Sequence, residues 1–206
     1  MHALGQIVHF DTHAIRDIRA WTFGVNTYLP NTIAIQWAER VDEKFHARFS
    51  AVSRCYRYVI YNHPVRSAIF SERTTWYQRA LDIKPMQKAA EYLLGEQDFS
   101  SFRSSQCESK SPMRFVEYIQ IERKDRFVVL EIQANAFLHH MVRNIAGVLL
   151  SIGAGLKPPE WMQDVLAAKD RTKASDTADP HGLYLYQVNY LAPYLFPENH
   201  RALLLF

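Results

Sequence analysis

The chain has 206 residues, 48% of them hydrophobic and 22% charged, with a formal net charge of +3. That content supports a sizeable core, in one domain or two small ones, and leaves no segment polar and uniform enough to be disordered. No run of about 18 apolar residues occurs, so no membrane span is expected. The two cysteines, Cys55 and Cys107, lack paired-ligand spacing. Met1 to Val8 lack the charged start and long apolar stretch of a signal peptide, so a reduced, cytoplasmic chain is expected. The mild positive charge is compatible with nucleic acid, but only clustered charge makes a binding footprint.

In chain order, residues 6–10 read as a short strand, which needs a neighbour to pair with. Residues 14–28 carry Ile15, Ile18, Ala20, Trp21 and Val25 at roughly helical spacing, with Asp11 or Thr12 as a cap. Residues 32–37 alternate Ile33, Ile35 and Trp37 as a second strand. Residues 45–62 then mix cationic and aromatic side chains. From Arg54 on they suit a strand, with Arg54, Tyr56, Tyr58 and Ile60 on one face and Cys55, Arg57, Val59 and Tyr61 on the other. Guanidinium beside phenol on a rigid element suits a nucleotide, whose base stacks on the ring while a phosphate meets the cation. A half-buried strand with core tyrosines and solvated arginines fits the same pattern, and pattern alone favours that second reading.

His63-Pro64 ends the strand, because proline has no amide donor. Residues 65–82 look irregular. Residues 83–94 read as a helix with Pro85 in its first turn and Gly95 as its stop. Polar loops follow at 98–103 and 106–112. Residues 115–122 and 127–134 are strands whose short link makes a hairpin. Asn135 is expected to cap the strongest helix, 136–152, lined by Phe137, Leu138, Met141, Val142, Ile145, Val148, Leu149 and Ile152. A further helix spans 159–168 and a last strand 182–190. The apolar tail Leu203-Leu204-Leu205-Phe206 is docked or an interface. Strands and helices alternate without a regular βαβ repeat, which predicts an α+β class: a mixed, largely antiparallel sheet flanked by helices.

Few residues carry chemistry on their own. Arg143 lies in an otherwise apolar helix, where it either holds an acid or phosphate or snorkels to solvent. His139 and His140 are adjacent, point about 100° apart on a helix and form no two-ligand face. His9 and His13 lack an acidic helix motif, so no metal is expected. None of the 7 glycines cluster as a phosphate-cradling loop, which disfavours a nucleotide cofactor.

Taken together, several ordered motifs resemble the TruA type of tRNA pseudouridine synthase, which isomerises uridines 38–40 of the anticodon stem-loop. They are His2-Ala-Leu-Gly-Gln-Ile-Val-His-Phe10, Phe45-His-Ala-Arg-Phe-Ser-Ala51, Tyr56-Arg-Tyr58, Asp98-Phe-Ser-Ser-Phe102, Asn135-Ala-Phe-Leu-His-His-Met-Val-Arg-Asn-Ile145 and Gly182-Leu-Tyr-Leu185. The resemblance implies the pseudouridine synthase fold, a homodimer, tRNA as partner and no cofactor or metal, since nothing external is consumed. The uridine flips out of its stack, the N1–C1′ bond breaks, the uracil rotates and a C5–C1′ bond forms. By the same resemblance, Tyr56 stacks on the uracil and serves in removing the C5 proton. Arg143 pairs with the catalytic aspartate, and Leu183 packs against the base. Two segments contact tRNA: Phe45, His46, Ala47, Arg48 and Phe49, and Gln106, Cys107, Glu108, Ser109 and Lys110. His46, Arg48 and Lys110 meet phosphates, whereas Glu108 stands where the family more often has glutamine and repels them.

One departure bears on activity. The family carries its nucleophilic aspartate in a Gly-Arg-Thr-Asp-Ala-Gly-Val-His motif, and this chain starts at the last residue of that motif, His2. Met1 stands where the family has valine; an internal GTG codon, which reads as valine internally and as methionine at a start, would explain this as a misplaced start, and a truncated gene is the alternative. An N-terminally truncated chain is therefore expected, lacking the first strand, helix and catalytic loop. Residues 1–44 would be a remnant of the N-terminal half and 45–206 the C-terminal half. Asp11 cannot substitute, lying on the order of 25 Å along an extended strand from the missing residue. The full-length form is expected to isomerise uridine and this chain alone to be inactive. The alternatives are a non-catalytic tRNA-binding module or a dimerisation partner. An unpaired buried Arg143 would cost about 3–5 kcal/mol. The sheet edge would be open and the N-terminal part poorly anchored.

Overall fold

The computed structural model describes residues 1–197. Seven strands form one sheet: β1 (His2–Ala3), β2 (Ala51–Asn62), β3 (Thr75–Tyr77), β4 (Gly95–Asp98), β5 (Met113–Lys124), β6 (Phe127–Ala134) and β7 (Leu183–Tyr190). Their order is β1-β7-β2-β6-β5-β4, with β3 paired to β2 off that path. Among the described residues three α-helices accompany them: α1 (Ile83–Glu91), α2 (Met141–Gly153) and α3 (Trp161–Ala168). Most pairings are antiparallel; β1 on β7 and β3 on β2 are parallel. This is the α+β arrangement expected from the sequence.

β2 is the central strand. Its aromatic and β-branched residues suit a pleated surface buried from above and below. Tyr56 and Tyr58 oppose Ile132 and Leu130 of β6 on one side, and Leu185 and Leu183 of β7 on the other. Tyr58 and Ile60 enter the main core with Met86, Ala89 and Leu93 from the α1 region, Ile145 and Leu149 of α2, and Met162 of α3. Cys55, Val59 and Tyr61 are buried outside that cluster, on the opposite face. The period-two alternation read from the sequence therefore holds. A β-bulge shifts the register against β7 between Cys55 and Tyr56, locally increasing twist where bulges commonly re-aim a side chain.

Local chemistry explains the element ends. Asp82 caps α1 by accepting the Lys84 amide at 2.9 Å. Gly95 takes φ +79° to leave the helix region for β4. Asp125 takes φ +52° in the β5–β6 hairpin, as expected of a short polar turn residue.

Several predicted elements differ. Residues 6–10 and 32–37 form no strand, and the helix expected over 14–28 shortens to residues 18–26, with a π-helical segment, Ala20–Gly24, at its centre. The physical reason is a missing face to bury. Val8, Phe10, Ile15 and Ile33 are all more than half exposed, and short strands and helices need tertiary packing to persist. Yet the segment is tethered. His2 pairs opposite Tyr184, Leu4 and Gly5 donate to the Leu185 carbonyl at 2.8 and 3.2 Å, and the His9 ring lies 4.4 Å from that of His46.

The strongest helix begins at Met141 rather than 136. Asn135 accepts the Phe115 amide and so closes a sheet end instead of capping a helix. His140 is left-handed, at φ +64°, and the His139 and His140 rings stack at 3.9 Å instead of diverging around a helix. β3 and β4 were not foreseen as strands. The apolar residues 203–206 lie outside the described residues. No helix among the described residues is long and apolar enough to cross a membrane.

Candidate active site

The site is built where β2, β7 and the N-terminal end of α2 meet. Tyr56 stands on β2 with its ring edge-on to Phe137, centroids 4.9 Å apart. Among the described residues its hydroxyl makes no hydrogen bond. Burial pushes the Tyr56 phenol pKa up, against the opposing effect of the Arg54 charge. The phenol therefore stays neutral near neutral pH.

Two residues along, Tyr58 is fully buried. Its hydroxyl meets the Thr75 hydroxyl at 2.6 Å and donates to the Asp179 carbonyl at 2.7 Å. Arg143 Nε donates to the neighbouring carbonyl, Ala178, at 2.7 Å, and the Ala178 amide returns a bond to the Arg143 carbonyl at 3.2 Å. Tyr58 and Arg143 thus grip adjacent peptide groups of one turn. That turn runs through Pro180–Gly182 into β7 and delivers Leu183, which is buried opposite Tyr58. Gly182 is required there, since a Cβ would sit 2.4 Å from the Val59 carbonyl.

Arg143 is half-buried and makes no ion pair among the described residues. The cost expected for a fully buried unpaired cation is accordingly not incurred: Nε is satisfied by a carbonyl, and the group keeps partial contact with water. Tyr56 and Arg143 make no hydrogen bond with each other. The fold ties Arg143 and Leu183 to Tyr58 through the 178–182 turn, two residues along β2 from Tyr56.

The two segments singled out for RNA contact behave differently. In the first, Phe45 is an anchor: it is 6% exposed and its ring lies 5.0–5.3 Å from those of Tyr190, Tyr194 and Phe196. The Ala47 carbonyl accepts from the Tyr190 hydroxyl at 2.6 Å. His46 Nδ1 accepts the amides of Arg48 and Phe49 at 3.1 and 3.3 Å, so its other ring nitrogen carries the proton. Arg48 and Phe49 are exposed, with the guanidinium 5.8 Å from the ring centroid. Arg54 reaches the carbonyls of Ala51 and Asn135, both at 3.0 Å, and that of Arg48. It ties this turn to the segment that leads into Phe137.

In the second segment, Gln106, Glu108 and Lys110 are exposed, while Cys107 and Ser109 are half-buried. Cys107 Sγ accepts the His139 amide at 3.4 Å, which links the loop to the start of α2. Burial raises the Cys107 thiol pKa, but the amides of His139 and Ser109 and the charge of Arg103 outweigh it and lower it overall. The sequence places Arg54 beside Tyr56 but reads Phe137 only as a helix-lining residue, not as a neighbour of Tyr56.

A sequence model described as tRNA pseudouridine synthase matches residues 89–191. tRNA pseudouridine synthase A of Histophilus somni (strain 129Pt) is 55% identical over 199 residues, covering 97% of this chain and 74% of the relative. That of Shewanella baltica (strain OS223) is 54% identical over 198 residues, covering 96% of this chain and 76% of the relative. The mixed, mostly antiparallel sheet flanked by helices is consistent with the pseudouridine synthase fold. More narrowly, the chain belongs to the tRNA pseudouridine synthase family, TruA type.

Proposed function

We propose that this chain is the uridine-receiving part of a TruA-type isomerase that converts uridine to pseudouridine at positions 38–40 of the anticodon stem-loop. Tyr56 carries this reading. Its ring is fixed by Phe137 on a rigid strand, its hydroxyl is open, and its buried phenol keeps its proton. That combination suits stacking on a flipped uracil. Among the described residues Arg143 is anchored through Nε alone, which leaves the rest of the guanidinium to hold the catalytic aspartate by a charge-assisted bond. Leu183 closes the apolar side of the base. Residues 1–44 serve as part of the N-terminal half and 45–206 as the C-terminal half. The aspartate motif is not among the 206 residues, so the chain alone binds tRNA without turning uridine over.

Arg48, Phe49 and Lys110 form the RNA-facing rim. Each phosphate contact contributes salt-dependent affinity. Arg48→Ala is expected to weaken tRNA binding several-fold and to reduce the salt slope by about 1. Tyr56→Ala is expected to weaken binding by about 1–3 kcal/mol through lost stacking, with the slope unchanged. Filter binding from low to moderate salt checks both. Absence of tRNA binding at low salt by the unsubstituted chain contradicts the reading.

We infer that the chain also forms a homodimer. The observation favouring it is the sheet face opposite the main core. There Arg57 pairs with Glu131 and lies 3.7 Å over the Tyr186 ring, and Tyr118 donates to Glu131 at 2.8 Å. A satisfied polar network on a sheet face suits a specific, partly polar interface. Sedimentation equilibrium is expected to give a dimer mass; a monomer at all concentrations contradicts it.

A further inference from the structure

Arg103 and Arg114 flank the loop proposed to meet RNA, and both turn inward. Arg103 Nη2 donates to the carbonyls of Cys107 and Ser109, both at 2.8 Å. Arg114 Nη1 donates to the Ser111 and Met113 carbonyls at 2.9 and 2.5 Å, and its Nη2 to the Ser109 hydroxyl at 2.6 Å. The Ser109 hydroxyl donates in turn to the Ser111 carbonyl at 3.1 Å. Arg114 Nε is buried and takes no partner among the described residues. Both residues are half-buried, whereas Gln106, Glu108 and Lys110 are exposed. The loop is also pinned at its root, where the Ser104 amide donates to the His139 carbonyl at 3.1 Å.

A ten-residue polar loop pays conformational entropy when it is ordered on a partner. Carbonyls from residues 107 to 113 converge on two guanidinium groups. An arginine fork can hold several such acceptors at once, in a fixed plane. Arg103 commits Nη2 and Arg114 both Nη atoms to the loop's own acceptors, and water is excluded from Arg114 Nε. Both groups are thereby oriented toward the loop backbone.

We propose that Arg103 and Arg114 are positioning residues for RNA recognition. They act through the loop, holding Gln106 and Lys110 on its outer side in the conformation that meets the RNA backbone. This rests on the reading of the chain as a tRNA binder. It also sorts the arginines of this region by what they touch: Arg48 faces solvent, while Arg103 and Arg114 face the loop's own backbone.

Two measurements on the 206-residue chain test it. The first needs no RNA. Cleavage after Glu108 by a glutamate-specific protease reports loop opening, and its specificity is unaffected by arginine substitutions. Arg103→Ala and Arg114→Ala are each expected to speed this cleavage at least tenfold with an unchanged urea midpoint. The second is a double-mutant comparison of tRNA affinity. Arg103→Ala is expected to weaken binding about fivefold in the parent, but to have no effect once Gln106 and Lys110 are both alanine, because coupled residues are non-additive. Equal losses in both backgrounds mean a direct phosphate contact and overturn the proposal, as does unchanged cleavage. If the unsubstituted chain binds no tRNA, the role in recognition falls with the tRNA reading. In that case faster cleavage shows that the bracing exists and locates the failure in the function assigned to the loop.

Discussion

Replacing Gly147 by alanine is expected to destabilise the protein by up to about 2 kcal/mol, although alanine is the better helix former. Gly147 lies on α2, one turn after Arg143. A Cβ there would stand 2.1 Å from the Asp176 carbonyl oxygen and 3.3 Å from its carbon. Both obstacles are backbone, so no side-chain rotation relieves them. Overpacking of this kind costs roughly 1–3 kcal/mol or more, and the gain in helix propensity recovers only about 1. The loop that must move is held elsewhere too. Asn144 Oδ1 accepts from Thr177 Oγ1 at 2.7 Å and from Arg171 at 3.2 Å, and Ala178 is bonded to Arg143 in both directions. Shifting Asp176 therefore strains the turn that Arg143 and Tyr58 grip. A urea titration should show a lower midpoint with an unchanged slope. A variant as stable as the parent would mean that the 176–178 loop is not packed backbone-to-backbone on α2.

The second large effect concerns turnover. The chain alone is expected to form no pseudouridine, and joining the preceding part of a family member ahead of His2, aspartate motif included, is expected to restore it. The chemistry needs a nucleophile, and covalent catalysis fails when that group is absent rather than merely slowing. Tyr56 cannot take its place. It is neutral near neutral pH and burial pushes its pKa further up. Asp11 is an exposed residue of the irregular N-terminal segment. Within the restored chain, Arg143→Ala is expected to lower turnover by about 10²–10³, the scale seen when a preorganised charge partner is removed.

How much of this was legible from the chain depends on where the information sits. The faces of β2 were readable because period-two alternation is local, and Tyr58 and Ile60 do turn to the core. The β5–β6 hairpin was readable because its link is short. The N-terminal elements were not, because a helical or alternating pattern over residues 6–37 states only what the segment would do given a face to bury. Val8 and Phe10 lack that face and remain 66% and 62% exposed. The start of α2 was misplaced because Asn135 looks like a cap in sequence, while its partner, the Phe115 amide, lies 20 residues away. The site was legible only in part. Tyr56, Arg143 and Leu183 came from motif resemblance. The way they are held, through Tyr58, Ala178 and Asp179, depends on contacts 121 and 35 residues apart that no spacing reveals.

The most direct test is site-resolved detection of pseudouridine on unmodified tRNA carrying uridines at 38–40, using the 206-residue chain and the aspartate-restored chain side by side. The account predicts no pseudouridine from the first, although it binds the tRNA, and modification confined to 38–40 from the second, abolished by Tyr56→Ala. Pseudouridine formed by the 206-residue chain, or none formed by the restored chain, would contradict it.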